Sequence, residues 1–157
     1  MLIRVIAVGK IKEKFLREGI AEYEKRLRSY TRLQIVELGE ARRPQQASPA
    51  TESLALENEG ERILSGIPEN SFVIALDVKG ESWSSEDLAA SLGRWELSGQ
   101  NQITIVIGGD LGLSPAVTER CDLRLSLSRM TFTHPIIRLL LLEQVYRAFR
   151  ILRGEPY

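Results

Sequence analysis

Short β-branched runs alternate with helix-periodic segments along the whole chain, and this alternation limits the fold more than any other feature. Five runs read as strands: LIRVIAV (2–8), LQIVEL (33–38), SFVIALD (71–77), QITIVI (102–107) and LRLSL (123–127). The segments between them carry helical spacing. In residues 12–30, Leu16, Ile20, Tyr23, Leu27 and Tyr30 recur at intervals of four, three, four and three. They form one apolar stripe on a helix whose other side is Lys, Arg and Glu. Ser48 and Pro49 open a second helix to about Leu64, weakened by Asn58 and Gly60. Ser84 or Ser85 caps a third, which reaches about Leu97. Ser114 and Pro115 open a short fourth, and Pro135 suits the first turn of a last helix to about Arg153. GEARRPQQASPA (39–50) reads as a loop and VKGES (78–82) as a turn. The pattern predicts a single α/β domain over residues 1–157, with a mainly parallel sheet and helices on both faces.

Acids and bases balance at 21 each, so the whole molecule has no electrostatic preference for nucleic acid. Locally the balance breaks. Residues 10–32 hold eight Lys or Arg against four Glu, and residues 129–157 hold five Arg against two Glu. Each segment alone reads as a solvated helix face; together, on a dimer, they would line a phosphate-binding cleft. The single cysteine, Cys121, forbids an internal disulfide and fits a reducing cytoplasm. One His and one Cys argue against a zinc site within a subunit. The longest apolar run, Leu139–Leu142, is far too short to cross a bilayer, and no signal peptide is visible.

In open α/β sheets ligands bind beyond the carboxyl ends of strands. Three such ends stand out: Leu76-Asp77, Gly108-Gly109, and LSRMTF (127–132). The glycine pair reads first as a tight strand-to-helix turn, and second as backbone brought close to a ligand. A phosphate cradle fits less well. The Gly-Lys-Ser/Thr ending is missing, and Asp110 would repel a phosphate, so a neutral or cationic ligand suits this loop better. Asp77 reads as a turn cap or an acid. His134, the only histidine, reads as a structural hydrogen-bonder or an acid–base group. The last helix is too apolar for one buried stripe. Ile136, Ile137 and Leu139–Leu142 cover most of its circumference, with Tyr146 and Phe149 beyond. A second subunit is its natural second cover.

The ordered set IAVGK, IALD, IGGDLGLSP, LSLSRMTFTHPIIRLLLLEQVYRA and a terminal EPY resembles the ribosomal RNA large subunit methyltransferase H family of SPOUT methyltransferases. The match covers essentially the whole chain. The resemblance implies an α/β fold whose C-terminal part forms a trefoil knot, and it implies a homodimer. It implies methyl transfer from S-adenosylmethionine to N3 of a pseudouridine in large-subunit ribosomal RNA, on the assembled ribosome. By motif it assigns Leu76, Gly108, Leu127, Ser128, Arg129, Met130, Thr131 and Phe132 to the cofactor pocket. His134, Arg138 and Tyr157 become the candidates around the acceptor base. Arg138 would stabilise charge on the base carbonyls, and Tyr157 would stack on or bond the target. Members of that family usually run on past the Pro-Tyr with a His and often a basic residue, whereas this sequence ends at Tyr157. Two other readings share the pocket or the fold: a SPOUT-type tRNA methyltransferase, and a non-catalytic RNA-binding or assembly module.

Overall fold

A computed structural model describes residues 1–157. The strands are β1 (Leu2–Val8), β2 (Arg32–Leu38), β3 (Phe72–Ser82), β4 (Gln102–Ile107) and β5 (Leu123–Ser126). The helices are α1 (Lys14–Leu27), α2 (Pro49–Ser65), α3 (Ser85–Ser98), α4 (Pro115–Arg120) and α5 (His134–Leu152). All five strands are parallel, in the order β2-β1-β4-β3-β5.

Residue alternation sorts the helices onto two faces. Ile3, Val5 and Ala7 of β1, and Ile103, Ile105 and Ile107 of β4, point to one side, where they meet Leu16, Ile20 and Leu27 of α1, Leu88 and Leu92 of α3, and Leu141, Leu142, Val145 and Phe149 of α5. Ile6, Val8, Val73 and Val106 point to the other, where they meet Ile63 of α2 and Val117 of α4. The sheet is therefore the middle of three layers. Serines start three of the helices. Ser48, Ser84 and Ser114 each accept a hydrogen bond from the backbone N–H three residues on. At Ser84 the Asp87 carboxylate accepts in turn from the Ser84 N–H, which closes a capping box.

Two departures from the sequence reading have clear causes. VKGES is not a turn: β3 runs through it to Ser82. Its pairing with β5 breaks after Leu76 and resumes at Glu81 opposite Leu125, so residues 77–80 bulge out of the ladder. A side chain at Gly80 would lie 2.5 Å from the Arg124 carbonyl oxygen. The second concerns α5. Most of its apolar surface is absorbed inside the subunit. It runs parallel to α1, with Leu139 on Gly19, Tyr146 on Tyr23, and Phe149 stacked on Tyr30, and its other flank packs on α3. Leu141 is wholly core. What stays outside is concentrated at one end. Ile136 is exposed and Leu139 and Leu140 are half-buried, with Phe15 of α1 and Phe132 and Met130 exposed at the same end.

Candidate functional site

β3 and β4 are neighbours, yet the helices that follow them, α3 and α4, lie on opposite faces of the sheet. This is the switch point at which a parallel sheet opens a crevice at its carboxyl edge. A cavity of about 790 Å³ occupies it. Its walls come mainly from three segments far apart in sequence: Leu76–Lys79 after β3, Ile107–Leu113 after β4, and Leu127, Ser128 and Met130–His134 after β5, closed by Ile137. The volume is that of a site for a small organic ligand.

The glycine loop has a tight geometry of its own. Gly109 and Gly112 bridge each other, with the Gly112 N–H donating to the Gly109 carbonyl at 3.1 Å. Gly112 takes the left-handed conformation (φ +82°); Gly108 and Gly109 do not. Gly108 must be glycine because a Cβ there would lie 2.5 Å from the Gly112 carbonyl oxygen. The tight-turn reading of the pair thus holds, and the turn it builds is also a cavity wall. The opposite wall is shaped by its own serines. Ser126 Oγ donates to the Ser128 carbonyl at 2.8 Å, and the Met130 N–H donates to Ser128 Oγ at 3.0 Å.

Charge in the crevice is arranged rather than diffuse. Arg124 holds the Asp77 carboxyl below its usual range, and Asp77 also braces the β3 bulge by accepting from the Lys79 N–H at 2.9 Å. Arg43 does the same for Asp110 from across the site, reaching over from the 39–48 loop. That loop is fastened at its start too: Arg62 donates to the Gly39 carbonyl, and the buried Glu59 accepts from the Ala41 N–H at 2.9 Å. Both cavity aspartates are therefore charged at neutral pH, and each is balanced by its arginine, so they hold the loops in place without giving the crevice a net acidic charge.

Of the eight residues assigned to the pocket by motif, Leu76, Gly108, Leu127, Ser128, Met130, Thr131 and Phe132 line the cavity. Arg129 does not; it is exposed outside it. The three acceptor-side candidates part company. His134 lines the cavity, with Nε2 3.8 Å from a Glu40 carboxylate oxygen. Arg138, one turn on, is buried. It donates to Glu37 and, at 2.9 Å, to the Gly9 carbonyl, while its Nε has no partner. A group so enclosed braces the ends of β1 and β2 against α5 and does not reach the cavity. Tyr157 folds back along the middle of α5, where its hydroxyl donates to Glu143 and its ring stacks on the Arg147 guanidinium at 3.7 Å. The subunit alone thus does not bring these three residues together.

Sequence reading missed Gly9, Glu37, Glu40 and Arg43. Gly9 has φ +98°, and a Cβ there would press on the His134 ring at 3.1 Å. The one available signal was a glycine directly after the first strand. The acids and Arg43 gave none, because only the fold brings them to residues about 70 to 100 positions away.

An all-parallel α/β sheet with a largely apolar crevice at its switch point belongs to the class of small-ligand enzymes built on such sheets. The family described as "Predicted SPOUT methyltransferase" matches residues 1–157, and the chain belongs to that family. It is 59% identical over 157 residues, covering 100% of this chain and 99% of the relative, to the putative ribosomal RNA large subunit methyltransferase H of Methanoregula boonei. It is 54% identical, with the same coverage, to the ribosomal RNA large subunit methyltransferase H of Carboxydothermus hydrogenoformans. The fold is shared with a probable methylase family protein from Haemophilus influenzae at TM-score 0.53 and 13% identity, covering 97% of this chain and 68% of that one.

Proposed function

We propose that this chain, as a homodimer, methylates N3 of a pseudouridine in large-subunit ribosomal RNA, with S-adenosylmethionine as donor. The observation that carries the reading is the convergence of segments 76–79, 107–113 and 127–134 on one cavity, in a chain whose relatives bear that enzyme's name.

The residues present fit the donor. The volume accommodates it, and Leu76, Leu127, Ile107 and Ile137 offer apolar walls for a planar base. When bound, S-adenosylmethionine supplies a sulfonium methyl that is electrophilic without further activation. The chain's work is then positional. The glycine turn and the serine-shaped 127–132 loop fix the walls, so that the acceptor nitrogen can be held in line with the methyl carbon. N3 carries a proton that must leave as the new carbon–nitrogen bond forms. His134 is the group placed to take it, and Glu40 would balance the resulting imidazolium. Arg138 acts as a positioning residue by bracing the first turn of α5, which carries His134, against Gly9.

The dimer face we assign is the apolar patch at the shared end of α1 and α5: Phe15, Phe132, Ile136, Leu139 and Leu140. Such a seam would lie beside the cavity mouth. The test is transfer of a labelled methyl group from the donor to purified large ribosomal subunits, assembled ribosomes and tRNA in parallel. The proposal expects label in large-subunit RNA, at a pseudouridine, with none in tRNA. Label in tRNA alone, or no donor binding by calorimetry, would overturn it.

A further inference from the structure

We infer that RNA phosphates bind on a rim of unpaired cations, Lys10, Lys12 and Arg42 on one flank of the crevice and Arg129 on the other; this rests on the ribosomal RNA reading above. Three of the four acids at the ends of the strands on this edge are matched by arginines, Glu37 with Arg138, Asp77 with Arg124 and Asp110 with Arg43, and the fourth, Glu40, faces the His134 ring. Beyond those arginines, the same edge carries cations that are not paired. Lys10 and Lys12, in the loop between β1 and α1, are exposed and form no ion pair, and the same holds for Arg42 in the loop after β2 and Arg129 in the loop after β5. Lys14 adds a fourth positive charge near the first flank, shared at 3.8 Å with an exposed Glu18. Glu13 is the one exposed acid within that lysine run without a partner. A molecule of zero net charge thus presents uncompensated positive charge at the edge where its cavity opens.

Sheet order sets the geometry. β2 and β1 stand on one side of β4 and β3, and β5 on the other. The rim therefore straddles the cavity, as a backbone track must if one base of the strand is to enter while its neighbours stay outside. Lysines on loops are flexible point charges, which suits phosphate positioning and carries no base preference. Arg129 sits within a run whose other members line the cavity, which explains how one motif can hold both donor-side and RNA-side residues.

The experiment compares wild type with the triple variant K10Q/K12Q/R42Q and with K25Q/R28Q/R32Q, which removes three exposed cations at the opposite edge of the sheet. Affinity for purified large ribosomal subunits and for a labelled single-stranded oligoribonucleotide is measured across a salt series, and donor binding is measured by calorimetry. Expected for the rim variant are at least about tenfold weaker RNA binding at low salt, a log–log salt slope reduced by about 0.7 for each phosphate that is no longer neutralised, and unchanged donor affinity. The opposite-edge variant should bind RNA as wild type does. Equal RNA affinity and slope in wild type and rim variant, or equal weakening in both variants, overturns the inference. Because donor binding is read in the same series and methyl transfer by wild type in the labelling test above, failure of the rim is separable from failure of the proposed activity.

Discussion

Single residues in this chain are often explained by a neighbour that the sequence does not show. Gly60 looks like a defect in α2, where alanine would ordinarily gain about 1 kcal/mol. In the structure a Cβ there would overlap Ser114 Oγ, the buried cap of α4. Gly60→Ala is therefore expected to destabilise by about 1–3 kcal/mol, and chemical denaturation would show it as a lower midpoint with an unchanged slope. Gly108→Ala should act on the site instead. Its Cβ would meet the Gly112 carbonyl, a backbone atom that cannot rotate away, so donor affinity in calorimetry should fall at least tenfold while the far-ultraviolet spectrum stays native. Cys121 is half-buried, and burial is the main cause that pushes its thiol up to about 11. At neutral pH almost none of it is thiolate, so a thiol reagent should label it about a hundredfold more slowly in the native protein than after denaturation.

At the scale of elements, the alternation of strands and helices was legible because each carries its own period, 2.0 or 3.6. The end of β3 was not. Val78–Ser82 looks like a turn locally, and β3 is carried through it because β5, more than 40 residues later, pairs with Glu81 and Ser82. The candidate site was legible in the same uneven way. Leu76, Gly108 and the 127–132 run sit at strand ends, which any parallel sheet places on one edge. The roles of Arg138 and Tyr157 depended on where α5 points them, and no spacing encodes that. The β3–β5 margin is also where acid should act. Arg124 depresses the Asp77 carboxyl, so their pairing adds stability above the unfolded carboxylate range near pH 4 and loses it as pH falls through the lower folded value. The pair is partly exposed, which keeps the contribution to at most about 1 kcal/mol. Asp77→Asn should flatten that part of the acid titration of thermal stability. The α1–α5 end makes a sharper forecast. Ile136→Asp should yield a folded monomer by light scattering, whereas Leu141→Asp, in the core, should prevent folding altogether.

For the whole molecule, the order β2-β1-β4-β3-β5 puts the first strand near the centre. Val5, Ile6 and Ala7 are fully enclosed, and β1 is bonded on one side to β2 and on the other to β4. Its second neighbour arrives only with residues 102–107, and the helix that seals the same face arrives later still, with Phe149 wholly buried. During synthesis the amino-terminal half therefore leaves the exit tunnel with its most apolar strand half-paired, and no stable nucleus can close until nearly all of the polypeptide has been made. Nascent chains stalled before β4 should be cut readily by protease, and protection should appear in one step once α5 has emerged.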